Sequence, residues 1–203
     1  MTIELARLAV RYAKAATPLG TDNQKPPRPN REMTPDEVAA AMERMRASQK
    51  IMEIRSPALQ DGCTMDEVQK YGRSVAAKGA GNCVEQCAAA ALYLQGQANC
   101  PPFDLVRLEN PADHVFIAIN QAPDANGKYP ENFTQWDRNA IVVDPWVNVA
   151  CLARVYPAMW RDALTKLAAK NIELYALRTG GLRADDQTWL NAVTLNGKVR
   201  FNS

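Results

Sequence analysis

Between Gly96 and Phe103 the chain changes period, and that change limits the folds open to it. Before it, apolar residues recur at helical spacing; after it, the next segments alternate. Residues 83–96 read as an alanine-rich helix with Val84, Cys87, Ala88 and Ala91 on one side, small enough for a sheet to pack close. Residues 103–108 (FDLVRL) and 114–119 (HVFIAI) alternate as strands, and the short link Glu109-Asn110-Pro111-Ala112-Asp113 makes them an antiparallel pair. A loop over 120–139 is long enough to suggest a lid or binding surface, and Ala140 to Val143 forms a third strand. The expected class is α+β, with helices preceding a small antiparallel sheet.

The helical half carries its own punctuation. Thr34-Pro35-Asp36-Glu37 combines an N-cap threonine, proline at the first helical position and glutamate three residues after the cap. Val38, Ala41, Met42 and Met45 form the apolar stripe of that helix, the methionines reading as core rather than as soft-metal ligands. Thr64 with Glu67 repeats the capping box, and Met65, Val68, Tyr71 and Val75 share a face of a helix that stops at Gly79 and Gly81. Upstream, residues 2–16 place Leu5, Leu8, Ala9, Tyr12 and Ala13 on one face. That helix is expected to dock on the main body, with a membrane-surface anchor or a partner-docking helix as the sharper readings. Residues 17–33, rich in proline and polar groups, read as an extended linker, so the chain divides into 1–33 and a single domain over 34–203. Beyond Trp146 come an irregular segment, a helix over about 158–170 carrying Trp160, Leu164 and Leu167, a strand at 172–177, and a hairpin turn at Asn196-Gly197.

Composition removes several functions. A formal charge of +2, from 24 basic and 22 acidic residues, supplies no global field for nucleic acid, and no nucleic-acid module or basic, aromatic stripe occurs. No phosphate-cradling glycine loop is found. Five cysteines without scaffold-like spacing predict free thiols. No apolar run approaches a membrane span and no cleavable secretory signal opens the chain, so a soluble protein without stable membrane insertion is expected. No cofactor is expected.

The chain holds one histidine, His114, so neutral-pH imidazole chemistry has a single candidate. Gly79-Ala80-Gly81-Asn82 delivers Cys83 to the start of the alanine-rich helix, where the dipole and free backbone amides favour a thiolate and an oxyanion. An imidazole partner needs an orienting acceptor; Asp144, ending Ile141-Val142-Val143, is the natural one, since the rival Asp113 alternates to the opposite strand face from His114. A zinc set of Cys83, Cys87, His114 and Asp144 is the lesser reading, because no short Cys-x-x-Cys knuckle occurs. Glu85 reads as solvated or structural, Trp136 as packing, and Trp146 equally as packing or as a substrate-stacking surface.

The stretches GNCVEQCAAAALYL (81–94), DHVFIAI (113–119) and IVVDPW (141–146) resemble the papain-like and transglutaminase-like cysteine enzymes, in particular compact bacterial effector and toxin versions. The resemblance implies a cysteine on a central helix against an antiparallel sheet that supplies histidine and then aspartate. It assigns Cys83 as nucleophile, His114 as base or ion-pair partner and Asp144 as orienter. It further implies a protein substrate, with peptide cleavage slightly ahead of glutamine deamidation or transglutamination, and admits export by a specialised secretion system. Papain-type proteases carry a glutamine several residues before the cysteine, whereas positions 74–80 read SVAAKGA. Oxyanion or substrate contacts would then come from the Cys83 amide with Asn82, Gln69 or Trp146. The competing class is a non-catalytic interaction module that keeps the fold.

Overall fold

The computed structural model describes residues 3–27, 29–55, 59, 62–109, 113–176 and 180–202. The link residues 110–112 and the end of the strand expected at 172–177 lie outside them. In chain order the elements are α1 (Ile3–Ala16), β1 (Gln24–Lys25), α2 (Pro35–Ile54), α3 (Met65–Lys78), α4 (Cys83–Gln95), β2 (Phe103–Leu108), β3 (Val115–Ile119), β4 (Lys128–Tyr129), β5 (Ile141–Asp144), β6 (Val149–Leu152), α5 (Tyr156–Ala169), β7 (Glu173–Ala176), β8 (Gly180–Arg183), α6 (Gln187–Leu190), α7 (Ala192–Leu195) and β9 (Lys198–Arg200). The protein is α+β with antiparallel sheets: six strands ordered β4-β9-β2-β3-β5-β6, and a small sheet ordered β1-β7-β8.

The large sheet is covered on both faces, and the alternation of its strands decides what goes where. Leu105, Val115, Ile117, Ile119, Ile141 and Val143 face a helical layer of α1, α3 and α4. Val106, Phe116, Ala118, Val142 and Cys151 face an aromatic layer with Phe133, Trp136, Tyr156, Trp160 and Trp189. Each fully buried Phe, Leu or Ile contributes about 1.5 to 3 kcal/mol, so these two layers hold most of the fold.

Small residues set the helical layer. Ala88 to Ala91 on α4 are fully buried, as are Ala6, Ala9 and Ala13 on α1. This turns α1 away from the expected face: Leu8 is exposed, Val10 is buried, and Tyr12 packs its ring against Tyr93 at 5.3 Å. Alanine against alanine lets two helices approach more closely than leucine would permit, and that contact outweighs the larger side chain. The apolar face of α1 is thereby used within the core.

Both expected capping boxes form, at Thr34/Glu37 and Thr64/Glu67. The stripe on α2 is not core, however. Val38, Met42 and Met45 are 43%, 52% and 72% exposed, while Ala47, Ile51 and Ile54 near the helix end are buried. Among the described residues only the C-terminal half of α2 has a neighbour to bury against. Asn196-Gly197 does not make a hairpin either: Asn196 ends α7 and Gly197 leads into β9. Residues 187–195 wind into two short helical turns, so no strand precedes the turn. The segment expected as a linker is fixed as well: Leu19 N donates to Gly79 O, Gly81 N donates to Gly20 O, and β1 pairs with β7. Among the described residues no helix is long and apolar enough to cross a membrane.

Candidate active site

Sequence brings Cys83 to the site through a helix–turn–helix. Gly79 caps α3 in the left-handed region (φ 75°), which a β-carbon would strain. Gly81 then packs on the Glu85 side chain, leaving no room for a β-carbon, so its smallness serves that contact. Cys83 is the first residue of α4, whose opening amides have no intrahelical partner.

Glu85 is buried and structural rather than solvated. Its carboxylate accepts from Asn82 N (2.8 Å), Tyr71 Oη (2.8 Å) and Arg55 Nε (3.1 Å) and Nη2 (3.4 Å), tying α2, α3 and the start of α4 together beside Cys83. These bonds fix the backbone from which the thiol projects.

Strand register does the rest. In the antiparallel β3–β5 pair Ile117 faces Val143 and Ala118 faces Val142, which sets Asp144 opposite Phe116. Residues two apart share a face, so His114, just before β3, points into the aromatic layer with Asp144. His114 Nε2–H donates to Asp144 Oδ2 at 2.8 Å. Asp113, of opposite parity and ahead of the first β3 residue, is exposed and does not join them. The same imidazole is electrostatically coupled to Cys83; with Nε2 engaged by Asp144, Nδ1 is the ring nitrogen left for a thiol. His114 and Asp144 are 1% and 0% exposed and Cys83 is 6% exposed. Burial opposes a charged imidazole, but the Asp144 charge and hydrogen bond, together with Cys83, raise the His114 pKa above its ordinary value, so the imidazolium is favoured near neutrality.

Two further groups hold Asp144. Tyr156 Oη donates to Oδ2 at 2.7 Å and Trp146 N to Oδ1 at 3.1 Å. Tyr156 was hidden in sequence, since the segment after Trp146 has no period to mark one tyrosine as inward. Trp146 sits at the tip of the β5–β6 turn, where Asn148 takes φ 60° and its N donates to Pro145 O. The His114 ring is flanked by Trp146 at 5.2 Å and Trp160 at 4.9 Å between centroids. Lys14 reaches in from α1, its Nζ donating to Gln86 Oε1 (3.0 Å) and Trp146 O (3.5 Å); burial lowers its pKa against the pull of Asp144.

The weaker sequence candidates fare differently. Trp146 lies beside His114, buried. Asn82 adjoins Cys83, but its amide is engaged by Thr21 and Asp22. Gln69 is not at the site. Gly72 packs on Ala88 and Leu92, so Gln69, almost a turn earlier on α3, lies beside the far half of α4. Trp136 is buried, its Nε1 donating to Pro130 O. Cys87 turns away from the set proposed for zinc and donates to Val115 O at 3.3 Å; among the described residues no group of three or more His, Cys, Asp or Glu could hold a metal ion. All five cysteines are free. Burial raises the thiol pKa of Cys87, Cys100 and Cys151, the last to about 12.

Comparison with protein-family models, with curated proteins and with solved structures found no match to this chain.

Proposed function

We propose that the protein is a thiol-dependent acyl-transfer enzyme of papain/transglutaminase-like type, acting on a peptide or glutamine side-chain amide of a protein substrate. The observation that carries this reading is one buried imidazole hydrogen-bonded to a carboxylate and electrostatically coupled to a helix-initiating cysteine. A proton moved from Cys83 to His114 leaves a thiolate beside an imidazolium that Asp144 stabilises. The thiolate attacks the amide carbon, and the backbone amides of Cys83 and Val84, at the start of α4, are the donors proposed for the developing oxyanion. His114 gives its proton to the departing amine as the C–N bond breaks, leaving a thioester on Cys83. Water, deprotonated by His114, releases a carboxylic acid; a second amine in place of water yields a new amide.

Wild type and Cys83→Ala are to be incubated with a target-cell proteome and compared by mass spectrometry. New termini indicate proteolysis, a gain of about 1 Da at glutamine indicates deamidation, and amine adducts indicate transglutamination. The near-complete burial of Cys83 and His114 favours a second reading, a module that keeps the triad but only binds. Identical wild-type and Cys83→Ala samples, with thiol reactivity like an ordinary cysteine, would select that reading.

A further inference from the structure

Cys83 and His114 are so enclosed that no polypeptide reaches the thiol until a covering element moves. The helices and strands around them are anchored by buried apolar side chains. Residues 20–25 are not. They are half-buried and carry no apolar side chain (GTDNQK), and they are fastened by hydrogen bonds and a contact of Lys25 Nζ over the Tyr175 ring at 3.9 Å.

Those bonds fall on the neighbours of the proposed catalytic pair. Thr21 Oγ1 and Asp22 N donate to Asn82 Oδ1 (2.8 and 3.2 Å), and Asn82 Nδ2 donates to Asp22 Oδ1 (2.7 Å). Asn82 precedes Cys83. Trp146 Nε1 donates to Asn23 Oδ1 (2.9 Å) and Gln24 Nε2 donates to Trp146 O (3.1 Å), while the Trp146 ring lies against His114. The strap then runs on as a strand: Gln24 pairs with Leu174, Lys25 with Glu173, and Tyr175 N donates to Asn23 O at 2.9 Å. Gly20, at φ 75°, precedes it, and Pro26-Pro27, which lack backbone donors, end it.

We propose that this strap occupies the binding site of the substrate polypeptide. When it leaves, an extended segment bearing carboxamide side chains adds to the edge of β7 in its place, and strap departure gates access to Cys83. Strand addition supplies main-chain bonds at the edge, and the Trp146 carbonyl and indole read a carboxamide. The catalytic meaning rests on the reading of Cys83 as nucleophile; the exchange of strap for peptide does not.

The test uses the full chain. Asn23→Ala/Gln24→Ala removes both side-chain bonds to Trp146, and iodoacetamide labelling of Cys83 at pH 8.5, where ordinary thiols react, is followed by peptide mass spectrometry. The variant should label at least about tenfold faster than wild type, and the free peptide Thr-Asp-Asn-Gln-Lys-Pro-Pro should slow it again where a scrambled peptide does not. A folded variant that labels at the wild-type rate, or one that the peptide leaves unprotected, overturns the proposal. Hydrogen exchange on wild type gives a second readout that needs no variant. The Tyr175 amide should exchange at least about 100-fold faster than that of Ile117, and equal protection overturns the strap's mobility. Faster labelling of the variant at pH 8.5 with no reaction at pH 5.5 upholds the strap and removes the catalytic reading instead.

Discussion

Asp144→Asn should damage the protein out of proportion to its size change. The carboxylate is fully buried and accepts three donors: His114 Nε2 and Tyr156 Oη on Oδ2, and Trp146 N on Oδ1. A carboxamide has one oxygen. If it takes the Oδ2 position, its NH2 opposes the Trp146 amide, which can only donate; if it takes Oδ1, the NH2 faces His114 and Tyr156, which must stop donating to accommodate it. Either arrangement breaks buried hydrogen bonds and removes the charge that pairs with the imidazolium, for a cost of about 3 to 5 kcal/mol. Urea unfolding measures that loss, which a domain of ordinary stability survives. The second consequence concerns the proton. The lone histidine gives one imidazole signal by NMR, and in a Cys83→Ala background only Asp144 remains to favour the charged form. His114 should be protonated at pH 7 in Cys83→Ala and neutral in Cys83→Ala/Asp144→Asn, where burial alone acts. A loss under about 1 kcal/mol with the imidazole still charged would refute the electrostatic account of this site.

Three other outcomes follow. Tyr156→Phe removes one donor from Asp144 while its ring keeps its neighbours Phe116 and Phe133 at 5.3 Å each; it should cost about 1.5 to 3 kcal/mol in urea, and a neutral result would show that Oδ2 needs only His114. Glu85→Gln sets an NH2 against the Arg55, Tyr71 or Asn82 donors, and a loss of about 2 to 3 kcal/mol is expected, with Arg55 half exposed and counting least. Stability should also fall with alkalinity. His114 binds its proton more tightly folded than unfolded, so its contribution is full below about pH 6.5 and drains as pH rises through the folded value of about 10. Wild type should therefore lose more stability than His114→Gln between those limits, and parallel curves would contradict the raised value.

Much of the sheet was legible because its strands alternate strictly. FDLVRL and HVFIAI pair antiparallel where expected, and parity alone prefers Asp144 to Asp113. The helix starts were readable for a local reason, since a capping box satisfies its own backbone within four residues. What escaped depends on partners distant in sequence. A stripe on α2 has helical period whether or not another element covers it, and Met42 and Met45 are exposed. Leu8 loses its place to the alanines of α1 only because α4 presents its own alanines there. Tyr156 and the 20–25 strap act through single hydrogen bonds to Asp144, Asn82 and Trp146, and a hydrogen bond leaves no period in a sequence. Gln69 failed as an oxyanion candidate because residue type alone cannot place it along α3.

The pH dependence of Cys83 alkylation tests the central claim most directly. Labelling by iodoacetamide is measured at pH 5.5 and 8.5 in wild type and in His114→Ala, and the ratio within each protein cancels the slow access that the strap imposes. An ordinary thiol, titrating near 8.5, gains reactivity by about 500-fold across that span. If His114 holds the Cys83 proton, wild type should change less than about tenfold while His114→Ala recovers the ordinary rise. The same steep rise in both proteins would mean that the imidazole does not activate the thiol.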